Sequence, residues 1–309
     1  MKEKNYEKNV HFDSIEEIIG DSSNRYFGDG YKKVEYNIQS MNISQSKVKA
    51  LFNIYYPSNW SIKKSIPTIP HLSTLDSVII SLKMITEFLK YKFKYSVSLS
   101  YFFVEFLEVK AGNYLNENLN NINATLEFDE DKFLFCGKIS EFSVNIKLSH
   151  LSLHEKLTDS NNDYYYNGFK NKTSFVNNID LDIVNNKIKA EINNNFSGKY
   201  YGIESGYLKN KRLFCLLEQI IVTGQLTELF HSLLDDISRD SSNTLIMRRF
   251  VLKRTLNTND KLKNDILLEI KKSKIIQIRE NMMRVSNMIS KYGNSTINYS
   301  VAQKIECNY

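Results

Sequence analysis

The chain has 309 residues, 42% of them hydrophobic and 25% charged, with a formal net charge of +6. That length supports one large or two ordinary domains around a buried core, and the composition excludes a disordered polar chain. No apolar run is long enough to cross a bilayer, and no Gly-rich nucleotide loop, Gly-x-Ser-x-Gly elbow or metal-ligand array is present, so neither a membrane span nor a nucleotide or metal cofactor is expected.

Residues 1–30 read as a polar N-terminal extension with one short helical pattern, Ile15-Glu16-Glu17-Ile18-Ile19, and a turn at Phe27-Gly28-Asp29-Gly30. Its start, Met1-Lys2-Glu3-Lys4-Asn5-Tyr6, lacks a signal-peptide core, so a cytoplasmic location is expected. Strand-like runs follow at Val34 to Ile43 and Val48 to Tyr56, then a loop punctuated by Pro67 and Pro70. From Leu72 the apolar positions Leu75, Val78, Ile79, Leu82, Ile85, Phe88 and Leu89 predict a long helix with a buried face. Strands return at Val97 to Val109, Ile122 to Phe128 and Phe133 to Leu148, the last alternating clearly from Phe142 onward.

A similar order repeats. Weak strands near Thr173 to Val176 and Ile179 to Ile192 lead through Gly202 and Gly206 to a second helix, Leu213 to Ile237, and then to strands at Leu245 to Leu256, Ile266 to Ile270 and Ile275 to Val285. The second helix is apolar nearly all round, which suits a helix wrapped by a curved sheet. The pattern predicts an α+β double hotdog: halves at 31–155 and 156–290, each a long central helix cradled by an antiparallel sheet, with 291–309 as a tail. The alternative is one mixed α+β domain with a larger continuous sheet.

The stretch Pro70-His71-Leu72-Ser73-Thr74-Leu75-Asp76 places an imidazole and a carboxylate at a helix start. Ser73-x-x-Asp76 fits a capping box, and the positive helix end favours a neutral imidazole at His71 and a developing oxyanion beside it. The bland reading is a plain cap at Asp76 and a turn residue at His71. On the second helix Glu218 and Gln225 share one face, where apolar surroundings would favour a neutral carboxyl, and Gly224 suggests a close approach by backbone or ligand. The structural alternative sends Glu218 to the surface and Gln225 across the interface between halves. Arg248 is a candidate anchor for a phosphate or carboxylate, because Arg248 and Arg249 point to opposite strand faces. Asp235 and Arg239 have the spacing of an ordinary surface pair. Tyr164-Tyr165-Tyr166 reads as a lid or a surface cluster.

His150 and His154 have metal-pair spacing but no third ligand, and read as the polar end of a strand and the loop beyond it. Cys136 and Cys215 read as core residues, and with Cys307 they form no disulfide framework. Basic residues are spread along the chain without a reading motif, so small acidic molecules are expected partners rather than nucleic acid.

Three segments, Asn24-Arg25-Tyr26-Phe27-Gly28, His71-Leu72-Ser73-Thr74-Leu75-Asp76 and Thr244-Leu245-Ile246-Met247-Arg248, resemble the avirulence D (AvrD) family of bacterial proteins, and the likeness covers most of the chain. It implies synthesis of syringolide-type acyl-sugar lactones from a 3-oxoacyl chain and a ketopentose, and links the chain to hotdog enzymes of the A-factor type. Dehydratase relatives use His-x-x-x-Gly-x-x-x-x-Pro, whereas the positions after His71 here are Leu75 and Ile80. The leading expectation is therefore an acyl-transfer and condensation enzyme with His71, Asp76 and Glu218 in catalysis and Gln225 and Arg248 in substrate binding. A thioesterase or dehydratase, and a non-catalytic lipid-like ligand-binding or interaction protein, are the alternatives.

Overall fold

A computed structural model of the chain describes residues 9–94, 98–150, 163–196, 200–205, 215–255, 264–278 and 280–305. In chain order the elements are β1 (Asn9–Ser14), α1 (Glu16–Ile19), α2 (Tyr31–Lys33), β2 (Glu35–Ile43), β3 (Lys47–Tyr55), the small hairpin β4 (Ile62–Lys63) and β5 (Ile66–Pro67), α3 (Thr74–Phe93), β6 (Phe102–Lys110), β7 (Ile122–Asp129), β8 (Leu134–Ile139) and β9 (Phe142–His150). There follow β10 (Lys172–Asp182), β11 (Lys187–Phe196), α4 (Leu216–Asp235), β12 (Leu245–Arg254), β13 (Asp265–Ile278), β14 (Asn281–Tyr292) and β15 (Ser295–Ile305).

Among the described residues thirteen strands form one sheet, in the order β1-β10-β11-β13-β14-β15-β12-β6-β9-β8-β7-β3-β2. The six strands from β6 to β2 cradle α3, and α4 lies against β10, β14 and β15. The seam is the antiparallel pair β12–β6, in register from Arg249↔Lys110 to Lys253↔Phe106. The chain is thus a double hotdog whose two sheets are hydrogen-bonded into one, so the expected fold and the continuous sheet weighed against it are both present.

Period-two alternation builds the walls. In β9, Phe142, Val144, Ile146 and Leu148 are buried while the residues between them are more exposed. In α3, everything from Leu75 to Leu89 except Glu87 is buried, because the sheet curves around the helix. A fully buried Leu, Ile or Phe contributes ~1.5–3 kcal/mol, so these two helices anchor the core.

Several expected boundaries need correction. Of the expected extension 1–30, residues 9–30 do not stand apart, since β1 pairs with β10 and Ile15 and Ile19 join the core, and residues 1–8 lie outside the described residues. The expected tail contains β15, which sits between β14 and β12. The run Phe133 to Leu148 is the hairpin β8–β9, turning at Ser140 with a positive φ of 49°, and Ile275 to Val285 spans the β13–β14 turn at Glu280. Neither turn carries Gly or Pro, so nothing in the local sequence punctuates it.

α4 also buries a titratable group. The His231 ring lies 3.1 Å from Gln303 Oε1 and 3.0 Å from Ser286 Oγ, and burial pushes its pKa down to about 4 against the pull of the Gln303 hydrogen bond. Between about 4 and the ordinary 6.5 the unfolded chain binds the proton that the folded chain refuses, so this group's stabilisation falls as pH drops through that window, by ~3 kcal/mol in total. Burial pushes Asp163 up to about 6, and that works in the opposite direction. Urea unfolding of the wild type and of His231→Gln across this range separates the two: the variant is expected to lose less stability in acid. Equal acid losses in both proteins would refute the assignment.

Candidate active site

The first helix starts where the sequence places it, and its start is doubly fixed. Ser73 Oγ accepts the Asp76 N–H at 3.1 Å, and Asp76 Oδ2 accepts the Ser73 N–H at 2.7 Å, a complete capping box. Leu72 N–H donates to Asn116 O at 2.8 Å, which ties the approach to the neighbouring loop. The first helical bond is Ser77 N–H to Ser73 O. The N–H groups of Thr74 and Leu75 therefore have no intrahelical acceptor, and both residues line a cleft.

His71 stands at the edge of that cleft, half-buried, its ring edge-on to Trp60 with centroids 6.5 Å apart. Its Nδ1 lies 3.2 Å from Ile69 O. A carbonyl can only accept, so Nδ1 carries the hydrogen and the lone pair of the neutral ring sits on Nε2. Among the described residues Nε2 has no protein partner.

Asp76, expected beside His71 in catalysis, makes no hydrogen bond to the His71 ring among the described residues. It is fully buried beneath the cleft, where its carboxylate accepts from Tyr36 at 2.6 Å, Tyr56 at 2.5 Å and Tyr26 at 3.2 Å, besides the Ser73 N–H. Tyr26 also lies 2.8 Å from Ser73 Oγ. Burial first, and then the Asp76 charge, push all three phenols well above their ordinary range, so they remain hydrogen-bond donors. Tyr26 and Tyr56 form part of the cleft wall, so Asp76 reaches the cleft through them.

The cleft holds about 120 Å³ and lies between the halves. The first half contributes His71, Leu75 and Phe142, the second Ile220, Met247 and Arg248. A β-bulge in β12 between Met247 and Arg249 turns Arg248 into it, with Nη1 donating to Gly112 O at 2.8 Å, while Arg249 pairs with Glu108 outside. Lys63, held by Ser242 O and Oγ at 2.9 and 3.0 Å, lines it too, and burial lowers the Lys63 pKa. Arg239 is buried and donates to Ile62 O at 2.8 Å and Asn24 O at 2.7 Å, with Glu228 3.4 Å from its Nε. Three cations against Glu228 in the lining and Asp240 3.7 Å behind Arg239 leave this end of the cleft net positive and attractive to anions and carbonyl oxygens.

The structure brings His71 and Arg248 together, with Asp76 behind them, but not Glu218 or Gln225. Glu218 is buried away from the cleft, accepting from Tyr164 at 2.5 Å and paired with Lys172 at 3.1 Å. Breaking a buried pair leaves an uncompensated charge and costs ~3–5 kcal/mol. Glu218→Gln is thus expected to lower the melting temperature by several degrees while turnover per folded molecule stays within a few-fold; a large loss of turnover at unchanged melting temperature would return Glu218 to the chemistry. Gln225 acts as a strut, its Nε2 donating to Phe27 O at 2.6 Å and its Oε1 accepting from Arg25 at 3.3 Å. Gly224 is explained by a side chain, since a Cβ there would sit 2.8 Å from Phe27 Cε2.

Other readings are corrected as well. Tyr164 and Tyr165 are fully buried, not a lid, because each hydroxyl serves a buried carboxylate, Glu218 and Glu204 respectively. Asp235 pairs with Arg284, not Arg239. Cys215 is buried at the N-cap of α4, whereas Cys136 is half-buried. His150 ends β9, exposed beside Tyr101 and Phe102, and His154 lies outside the described residues. Among the described residues no group of three His, Cys, Asp or Glu could hold a metal ion, and no helix is long and apolar enough to cross a membrane. Tyr56, Lys63 and Glu228 carry no signal in the sequence, and Arg239 stands out there only by its spacing from Asp235. Tyr26 was visible only as part of the Asn24–Gly28 segment.

A profile of the family described as Pseudomonas avirulence D protein (AvrD) matches residues 10–129 and 141–306. No curated protein matches the sequence. Among solved structures the chain is similar to a conserved protein of unknown function with a hot dog fold from Alicyclobacillus acidocaldarius, at 6% identity and a TM-score of 0.37, over 86% of this chain and 96% of that one. It is also similar to an acyl-CoA thioesterase II from Mycobacterium marinum, at 5% identity and 0.37, over 87% and 96%. A third is the dehydratase domain from the CurJ module of curacin polyketide synthase, at 10% identity and 0.34, over 87% and 97%.

Proposed function

Because the chain belongs to the Pseudomonas avirulence D protein (AvrD) family, we propose that it is an enzyme of specialised metabolism that joins a 3-oxoacyl thioester to a ketopentose, giving an acyl-sugar lactone. The observation that carries this reading is that, among the described residues, His71 Nε2 has no partner at the edge of a cleft that is also lined by Thr74 and Leu75, whose N–H groups have no intrahelical acceptor.

In the acyl-transfer step Nε2 takes the proton of a sugar hydroxyl as its oxygen attacks the thioester carbonyl. The resulting oxyanion lies against the Thr74 and Leu75 N–H groups at the positive end of α3. Collapse breaks the carbon–sulfur bond, and the imidazolium returns its proton to the departing thiolate, leaving an ester and a free thiol. The carbon between the two carbonyls is acidic, so the same base then removes its proton, the carbanion adds to the sugar ketone to close the ring, and the imidazolium gives that proton to the new alkoxide. Arg248 and Lys63 bind the carbonyl and sugar oxygens. Asp76 acts as a positioning residue through Tyr26 and Tyr56, and Glu218 and Gln225 take no chemical step.

The test supplies purified protein with a 3-oxoacyl thioester, with and without a ketopentose, and follows thiol release and product mass. Thiol release only with the sugar, together with an acyl-sugar product, supports condensation. Release without sugar would replace it by hydrolysis, and a retained ligand with no turnover would replace it by a binding role.

A further inference from the structure

We propose that Phe27 is the partition that sets how long an acyl chain the cleft accepts. This rests on the acyl-substrate reading above and adds the residue that limits the substrate. Phe27 lines both the 120 Å³ cleft and a second hollow of about 60 Å³. Consecutive residues of α4 divide between them: Ile220 lines the first space and Ile221 the second.

The ring's seat is built into the chain. Gly224 leaves α4 bare where the ring lies, with a Cβ at that position only 2.8 to 3.0 Å from three ring carbons. The backbone of Phe27 is pinned by the 2.6 Å bond from Gln225 Nε2. The turn that carries it is tight as well: a Cβ at Gly28 would meet Ser22 O at 2.1 Å, and one at Gly30 would meet Trp60 O at 1.9 Å. The backbone therefore stays while the ring, only half-buried, is the part that can turn to another rotamer.

Size makes the partition matter. A cavity of about 150 Å³ takes one benzene ring, so the first space, at about 120 Å³, encloses a reacting head group with little of its alkyl chain. A longer chain running along Ile220 meets the Phe27 ring. Beyond it Ile15, Phe175, Val176 and Ile221 supply further apolar wall for the chain, alongside the polar Arg25, Asp29, Lys32 and Gln225.

The experiment titrates the full chain with 3-oxoacyl N-acetylcysteamine thioesters of increasing length, by calorimetry. Wild-type affinity is expected to rise about fourfold for each methylene buried and then level off where the chain meets the ring. In Phe27→Ala the rise continues to longer chains, and in Phe27→Trp it stops earlier. Phe27→Leu, which keeps most of the packing on Gly224, guards against a folding defect and is expected to lie between wild type and Phe27→Ala. Variants with the wild-type melting temperature and an unmoved plateau would overturn the partition while leaving the acyl reading intact. A wild type that binds no thioester of any length would overturn the acyl reading and the partition together, before any variant is made.

Discussion

His71→Ala is expected to reduce formation of the acyl-sugar product by roughly 100- to 10,000-fold, the range associated with loss of a positioned general base. The protein should remain folded, because the half-buried ring makes one hydrogen bond, to Ile69 O, and one edge contact, with Trp60. Truncating such a side chain costs at most ~1 kcal/mol. Mass-spectrometric comparison of extracts from cells making the natural chain and the variant checks the effect in vivo, and single-turnover thiol release from purified protein checks it in vitro. Full turnover in a folded His71→Ala protein would eliminate the proposed mechanism. His71→Gln sharpens the test, since it retains a hydrogen-bonding side chain but no base of comparable strength.

Asp76→Ala is expected to have the largest effect on stability. It removes the acceptor from the buried Tyr36 phenol and from the Ser73 N–H at the start of α3, whereas Tyr26 keeps Ser73 Oγ nearby and Tyr56 keeps His71 O at 3.4 Å. Each donor stranded in the interior costs ~1–3 kcal/mol, so these two give a total of ~2–6 kcal/mol, a large part of the stability of an ordinary domain. Asp76→Asn keeps one acceptor oxygen but turns an NH2 group toward donors, and should fall between wild type and alanine. Denaturant unfolding measures both. An alanine variant as stable as wild type would mean that the tyrosine cluster does not depend on its carboxylate. Because Tyr26 and Tyr56 form cleft wall, the surviving folded fraction should also bind substrate less tightly, a KM effect in contrast to the kcat effect at His71.

The fold was legible because its signals are local. The apolar positions from Leu72 to Leu89 repeat with helical period, Ser73 and Asp76 announce the cap, and Phe142 to Leu148 alternate as one face of a sheet must. These follow from backbone geometry and hydrophobic burial, which any stretch of chain reports about itself. Hairpin turns without Gly or Pro, at Ser140 and Glu280, escaped for the same reason, since nothing local marks them.

The candidate site was half legible. His71 and Arg248 could be singled out because each stands at the end of a recognisable element, and Phe27 belonged to a segment that carried the family resemblance. Glu218 and Gln225 were expected beside them because a polar residue on an apolar helix face implies something polar opposite. What lies opposite was decided elsewhere: Lys172 and Tyr164 meet Glu218, while Arg25 and Phe27 O meet Gln225. By itself the sequence determined two long buried helices in antiparallel sheets, a capped helix with an imidazole just before it, and a family. Only the tertiary structure decided which carboxylate faces which donors, that Tyr26, Tyr36 and Tyr56 converge on Asp76, and that Phe27 lines two hollows. Those pairings join residues 20 to 200 positions apart, and no local period or propensity encodes them, because a buried polar group accepts whichever partner the packing of distant segments delivers.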